Sequence, residues 1–444
     1  SLGTAPAGPP DARLPEPAPA GPIPAALAER EAALHGPKRQ RFVETEVLDD
    51  RNTVQPGDRV LVIVEDDVEF AGVLMAMARE RGYRVLLAQS AAEAYPLVDR
   101  VLPNGILLDI RLPDRSGWTV LDMLKQSPRT RHVPVYVVSV VNDLPRGLRL
   151  GARAVIQKPA GKEAFERLLL DVETFRQRPR RLLLVVPDQK ERERLEGLLG
   201  GPDVELVSVA TGAAGLPGLS KGGFAAAVID PRLTDMTALQ LIARLRTDPA
   251  QANLPVVVWA PPSVSYRTIA DLRAAADIVH DEEDAELRLL DRVNLYLHRD
   301  ESTLDVTRRD ALNRWRAHDP TLAGHRVLVV DDDVRNIFAL TTVLEQHGMI
   351  VIHAENGREA LDLLETERVD LVLMDVMMPV MDGYQATRAI RQVARLAHLP
   401  VLCLTAKAMR GDREACLAAG ASDYVAKPVE IPHLLSLLRV WLVT

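Results

Sequence analysis

The stretch Leu373–Gly383, "LMDVMMPVMDG", sets one aspartate, Asp375, at the end of an apolar run and follows it with a proline-bearing polar loop. Two other places read almost the same way: "LLDIRLPDRSG" at Leu107–Gly117 and "VIDPRLTDM" at Val228–Met236. The segments around them recur in the same order, so internal repetition is the leading organisational signal. Each copy opens on an apolar run: "RVLVIVEDD" from Arg59, "RLLLVVPDQ" from Arg181, "RVLVVDDDV" from Arg326. A helical pattern follows, then a second run ("YRVLLA", "VELVSVA", "MIVIHA"), another helical pattern, and a third run ending in Asp109, Asp230 or Asp375. A fourth run follows Pro134, Pro255 or Pro400, and a fifth ends near Lys158, Asp281 or Lys427. Runs that are apolar throughout, alternating with amphipathic helices, predict βαβ units and a parallel sheet covered on both faces. The expected class is α/β: three tandem flavodoxin-like (βα)5 doubly wound parallel-sheet domains.

The first two copies abut through "RQRPRR", whereas the second and third stand further apart. The expected divisions are a Pro/Ala-rich linker over 1–57, domains over 58–178, 179–299 and 322–444, and a connector over 300–321. The connector carries a predicted short helix from Val306 to His318, ended near Pro320.

At 444 residues the chain is too long for one core. An apolar share of 47% and a charged share of 26% are those of a soluble globular protein. The net charge of −8 argues against a nucleic-acid partner, because phosphate binding needs an excess of Lys and Arg. No segment reaches the roughly 18 apolar residues of a membrane span, so no membrane contact is expected. The two cysteines, Cys403 and Cys416, read as reduced core residues of a cytoplasmic protein. Eight prolines in the first 24 positions favour a partly extended tether. The start at Ser1 rather than Met suggests a piece of something longer.

In a doubly wound sheet, ligands sit beyond the carboxyl ends of the strands, where the strand order reverses. Strand ends of the third copy carry Asp331 and Asp332, Asp375, Thr405 and Lys427. Carboxylates crowded within about 4–5 Å repel by roughly 3–4 kcal/mol per pair at an effective dielectric near 20. Such crowding is tolerable with a cation between them and a lysine alongside. All-oxygen ligands with open water positions suit Mg²⁺. A carboxylate beside Mg²⁺, a lysine and a hydroxyl can attack phosphorus in line while its equatorial oxygens are neutralised.

In these residues the chain resembles bacterial two-component receiver (response-regulator) domains, specifically so in copies one and three. The resemblance implies that Asp375 is a phosphoacceptor and that Asp331, Asp332 and the carbonyl of Met377 join it in holding Mg²⁺. Thr405 and Lys427 would contact the phosphoryl group. Lys427–Pro428 matches the family's lysine–proline step, often cis, and Tyr424 matches its aromatic switch position, which couples to the Thr405 hydroxyl. In the first copy the counterparts are Glu65 and Asp66, Asp109, Arg111, Ser139 and Lys158–Pro159. That copy departs from the family at Val140, where a small residue is usual (Ala406 in the third copy), and at Val155, which replaces the switch aromatic. The second copy differs in kind. Pro187 and Asp188 replace the acidic pair, Ala260 the hydroxyl and Asp281 the lysine, while Thr234 and Ala238 replace the loop proline and glycine. Asp230 is therefore expected not to accept phosphate.

Taken alone, "DDD" at Asp331–Asp333 is a solvated turn or helix start, and a lone lysine is surface decoration. Joint placement at four strand ends, twice over, argues otherwise. "GAAGLPGLSKGG" (Gly212–Gly223) lacks the order of a phosphate loop and reads as a loose connection. None of the ten histidines sits in a kinase phosphoacceptor setting, and no Gly-rich ATP lid is visible. The leading expectation is a receiver array resembling the C-terminal part of a multi-receiver hybrid histidine kinase. It would take phosphoryl groups from a kinase phosphohistidine, and a histidine phosphotransfer protein would be a further partner. The alternatives are a scaffold that regulates a kinase through receiver surfaces, preferred for the second copy, and a nucleotide or flavin binder. The binder is disfavoured by the acidic residues after the first strand.

Overall fold

The aliphatic runs at the centre of each sheet form strands buried on both faces, the arrangement that a helix-covered parallel sheet requires, whereas most edge strands are partly exposed. Residues 49–444 are described by the computed structural model, except 141–142, 176–178, 221–222, 249–250, 281–283, 407–409 and 443–444. The first sheet holds β1 (Val60–Val64), β2 (Arg84–Ala88), β3 (Gly105–Asp109), β4 (Val135–Ser139) and β5 (Ala154–Gln157). The second holds β6 (Arg180–Val185), β7 (Val204–Val209), β8 (Phe224–Ile229), β9 (Val256–Ala260) and β10 (Asp277–His280). The third holds β11 (Arg326–Val330), β12 (Ile350–Ala354), β13 (Leu371–Asp375), β14 (Val401–Thr405) and β15 (Asp423–Ala426). Each is parallel, with its strands in the order second, first, third, fourth, fifth. This is the three-fold flavodoxin-like α/β architecture expected from the repeats. Its switch point lies between the first and third strands, so their carboxyl ends open onto one crevice.

Register brings the functional strand ends level. Asp109 pairs with Val138 and Ser139 with Gln157, while Asp375 pairs with Leu404 and Thr405 with Ala426. The backbone then turns back sharply. Gly117 N–H donates to the Ile110 carbonyl at 2.8 Å, and Gly383 N–H to that of Val376 at 3.1 Å. A Cβ on either glycine would lie 2.1 Å from the carbonyl oxygen of Asp109 or Asp375, so no larger residue fits there. In the second sheet Ala238 holds this place.

One sequence expectation is corrected. Gly212–Ser220 is a helix rather than a loose connection. Its first N–H groups, on Gly212 and Ala213, donate to the Asp235 carboxylate at 3.0 and 2.7 Å, as those of Ala91 and Ala92 donate to Asp114 at 2.9 Å each. A cap supplied from a distant loop offsets the poor helix propensity of the glycines. Of the linker expected over 1–57, residues 1–48 lie outside the described residues; in the rest, Asp49 and Asp50 accept the backbone N–H groups of Leu87 and Val85 of β2, at 3.0 and 2.8 Å.

The three sheets lie in one body, within 48–444. Helix Val306–Arg316 of the connector ends in Arg316, which shares Asp291 and Glu301 with the buried Arg131 of the first sheet's unit. The last helix, Ile431–Leu442, packs on helix Gly117–Gln126. Its Val440 sits in the first unit's core. From the same helix Arg439 reaches Asp122 at 3.0 Å and Asp319 at 2.7 Å. No helix among the described residues is long and apolar enough to cross a membrane.

Candidate functional site

At the third sheet, β11 delivers a run of three aspartates whose members have different surroundings. Asp331 is fully buried and Asp332 exposed, whereas Asp333 caps helix Val334–Gln346 by accepting the Arg335 N–H. Oxygens of Asp331, Asp332 and Asp375 come within 4.8 Å of one another. Lys427 bridges two of them, with Nζ 2.7 Å from Asp331 and 2.9 Å from Asp375. Thr405 ends β14 beside them, buried. The Lys427–Pro428 peptide is cis, as is Lys158–Pro159. Burial, helped by the Asp331 charge and opposed by Lys427, raises the Asp375 pKa. Burial works against the Lys427 ammonium, but its hydrogen bonds to the two aspartates outweigh that and hold its pKa above the ordinary value.

The first sheet repeats the arrangement. Oxygens of Glu65, Asp66 and Asp109 lie within 4.8 Å of one another, and Lys158 Nζ is 2.7 Å from both Glu65 and Asp109. Burial, then the Asp109 charge, pushes Glu65 up to about 7 against the pull of Lys158. Asp66 is raised, mainly by burial. Ser139 is fully buried at the end of β4, and Val140 beyond it is 42% exposed. Arg111 and Met377, expected to offer carbonyl oxygens, are seen donating their backbone N–H to Asp109 at 3.0 Å and to Asp375 at 3.4 Å. All donors in both clusters are hard oxygens, the set that suits a divalent cation such as Mg²⁺ rather than a soft metal.

Two neighbours went unnoticed in the sequence. Asn336 Nδ2 donates to both Asp331 oxygens, at 3.0 and 3.2 Å. At the matching place the first unit has Phe70, whose ring lies 4.5 Å from Lys158 Nζ. A residue five positions past each leading acid, one helical turn into the next element, was the available signal.

The second sheet brings no such cluster together among the described residues. Asp230 follows β8 and is fully buried, but its partner is Arg232. The guanidinium grips it in bidentate fashion, with Nη2 at 2.6 Å from Oδ2 and Nε at 3.0 Å from Oδ1. The reading of Pro187 and Asp188 as replacing the acidic pair is corrected by one place: Asp188 caps helix Gln189–Leu199 as Asp67 and Asp333 cap theirs, and the buried Val186 holds the position of Glu65 and Asp331. Trp259, fully buried, donates its indole N–H to Glu191 at 2.7 Å, and Ala260 ends β9 without a hydroxyl. Asp281 lies outside the described residues. The Arg232 clasp was also missed, because Arg111 stands at the same offset and makes no such contact with Asp109.

Tyr424, expected to couple to Thr405, is found with its hydroxyl donating to the Asp114 carbonyl of the first unit at 3.3 Å. Cys403 and Cys416 are both buried free thiols.

These acid–lysine crevices at the switch point of a doubly wound sheet define a class, the receiver domains of two-component phosphorelays. A family model for the response regulator receiver domain matches residues 61–169 and 327–439, half of the chain, and the chain belongs to that family. It is 44% identical over 119 residues to the sensor histidine kinase GacS of Pseudomonas protegens, a match covering 26% of this chain but 13% of the kinase. It is 40% identical over 114 residues to protein PilH of Pseudomonas aeruginosa, covering 26% of this chain and 94% of PilH. Among solved structures, the receiver domain of a sensor histidine kinase from Pseudomonas aeruginosa PAO1, with magnesium coordinated in its active-site cleft, is 39% identical. That match covers 28% of this chain and all of the other, at a TM-score of 0.27.

Proposed function

We propose that the chain is a phosphoacceptor array in which Asp375 and Asp109 take phosphoryl groups from a phosphohistidine of a histidine kinase, and the middle domain takes none. The working domains would span 58–178, 179–299 and 322–444, with 300–321 as connector. The observation that carries this reading is the repeated cluster: three acids with oxygens within 4.8 Å and a lysine on two of them, present at the first and third sheets.

Glu65, Asp66 and Asp109 with the Arg111 carbonyl, and Asp331, Asp332 and Asp375 with that of Met377, would hold Mg²⁺, whose bound charge offsets that of the phosphoryl oxygens. The protein's own part follows from its geometry. An Asp375 or Asp109 oxygen attacks phosphorus, the N–P bond of the donor histidine breaks, and the imidazole leaves with that electron pair. Lys427 or Lys158 stabilises the charge spread over the phosphoryl oxygens, and the Thr405 or Ser139 hydroxyl donates to one of them. Hydrolysis of the acyl phosphate, or its transfer to a histidine phosphotransfer protein, would clear the site. Next to the third site's acids, Val334, Phe338, Met377 and Val380 expose apolar surface, with Phe338 at 73% and Val380 at 85%. Unpaired apolar surface of this kind favours docking of a protein donor there.

The kinase partner, whether on the same polypeptide or separate, and a cytoplasmic location belong to this proposal. For the middle domain a second reading applies, a scaffold without turnover, favoured by the Arg232 clasp on Asp230. The test is treatment of the chain with acetyl phosphate and Mg²⁺, followed by intact mass. Two additions of phosphate are expected, one lost with Asp375→Asn and the other with Asp109→Asn. A gain that survives both substitutions together would overturn the reading.

A further inference from the structure

The cavity of about 690 Å³ over Asp109 is lined by two units rather than one. Glu65, Asp66, Asp109 and Lys158 come from the first, whereas Arg413 and Tyr424 come from the third. We propose that Arg413 is a working residue of the first site, supplying from the third unit a fixed positive charge, beyond those of the first unit, on a phosphoryl group held by Asp109. The proposal rests on Asp109 being a phosphoacceptor.

Charge balance argues for it. Once Asp109 is esterified, the carboxylates of Glu65, Asp66 and Asp67 and a phosphoryl dianion exceed the charges of Lys158, Arg111 and one divalent cation by a single formal charge. Arg413 cancels it, and a guanidinium suits phosphoryl oxygens because its fork of N–H donors matches their geometry. Placement argues for it too, because the seam between the units is pinned on several sides. Tyr424 donates to the Asp114 carbonyl at 3.3 Å. Arg115 pairs with Glu430 at 2.6 Å, and Ser436 donates to the Thr119 carbonyl at 3.3 Å. The helix that carries Arg413, Arg410–Ala418, is thereby held over the mouth of a site in the other unit. Fixed positive charge in a confined crevice acts more strongly than in open water.

The test uses the full chain with Asp375→Asn, so that Asp109 alone reads out. With acetyl phosphate and Mg²⁺, an Asp109 oxygen attacks phosphorus, the P–O bond to the acetyl group breaks, and acetate leaves. Arg413→Gln is expected to slow this mass gain about tenfold. Arg413→Lys should recover a large part of the loss, which a packing role would not produce. Beryllium fluoride, a phosphoryl mimic, should raise the melting temperature less in Arg413→Gln than in its parent. Equal rates and equal shifts in parent and Arg413→Gln would overturn the assignment of Arg413. No mass gain in the parent would instead overturn Asp109 as an acceptor, and the proposal with it.

Discussion

The second and third units set an aspartate at the same point of the same sheet and surround it with opposite company. Asp375 shares a lysine with Asp331, and that lysine arrives from the end of another strand, while oxygens of Asp331, Asp332 and Asp375 gather within 4.8 Å of one another. Asp230 is answered from within its own loop by Arg232, which occupies both of its oxygens. A charge neutralised by a partner two residues away is a finished structural contact. A charge neutralised in common with other acids is a site that can still bind something. On the proposed function, what separates a chemical unit from a structural one is therefore not the aspartate but whether its countercharge is shared.

The largest expected effect tests that distinction directly. Replacing both Asp375 and Asp109 with Asn should lower acetyl-phosphate-driven phosphorylation by at least about a hundredfold. Asp230→Asn should leave it unchanged, as followed by intact mass. Phosphate retained on the double variant and lost only with Asp230→Asn would reverse the comparison.

Next in size is the glycine that closes the loop after Asp109 and Asp375, Gly117 in the first unit and Gly383 in the third. Gly383→Ala forces a Cβ to within 2.1 Å of the Asp375 carbonyl oxygen. It should cost about 2–3 kcal/mol in denaturant unfolding, as overpacking of a tight site does. Asp375 phosphorylation should fall with it. Ala238→Gly in the second unit removes a methyl that is already accommodated, so its cost should stay near the roughly 1 kcal/mol of helix propensity. Equal losses would show that the loops of the two units are built alike.

Much of this contrast was legible in the amino-acid order. The apolar runs, their spacing and the recurrent Asp ending specified the parallel sheets, because burial on both faces leaves little choice of residue. The acids and lysines of the first and third units also gather where the strand-end argument puts them. Less legible were contacts that depend on side-chain direction or on another unit. Arg111 and Arg232 share an offset, yet only Arg232 turns onto its aspartate, since Lys158 already holds Asp109. Glycines in Gly212–Ser220 hid a helix whose cap comes from Asp235, more than a dozen residues downstream. Tyr424 matched a switch position, but nothing local announced that its hydroxyl would meet the Asp114 carbonyl across a seam.

Arg232→Ala against Arg111→Ala probes the countercharge itself. Loss of the clasp leaves the fully buried Asp230 with the backbone N–H of residue 232, at 2.8 Å, as its remaining partner in that loop. Removing one member of a buried pair costs about 3–5 kcal/mol. The side chain of Arg232 is 42% exposed, which reduces the expectation to about 2 kcal/mol. Arg111→Ala should change unfolding stability by less than about 0.5 kcal/mol, because Lys158 keeps Asp109 paired. A larger loss at Arg111 than at Arg232 would undo the argument.

The smallest effect separates the units at their last strands, where Asp277 and Asp423 stand first in β10 and β15. Asp277 accepts the Tyr296 hydroxyl, so Asp277→Asn should cost about 1 kcal/mol through the weakened bond. Asp423 lies at the seam with the first unit, where burial pushes its carboxyl from near 3.8 up to about 6 despite the nearby Arg413 and Arg146. Between those values the folded chain holds a proton that the unfolded chain has released. Stability is therefore lost as pH rises through the window, and the full cost stands above pH 6. Asn carries no such cost. Asp423→Asn should accordingly be more stable than the parent at pH 8, by about 1 kcal/mol once solvent screening of a partly exposed group is allowed for. The difference should close below about pH 4, where both states of the parent are protonated. Urea midpoints at the two pH values measure it, and a parent that gains stability between pH 4 and 8 relative to Asp423→Asn would show that the arginines, not burial, govern this carboxyl.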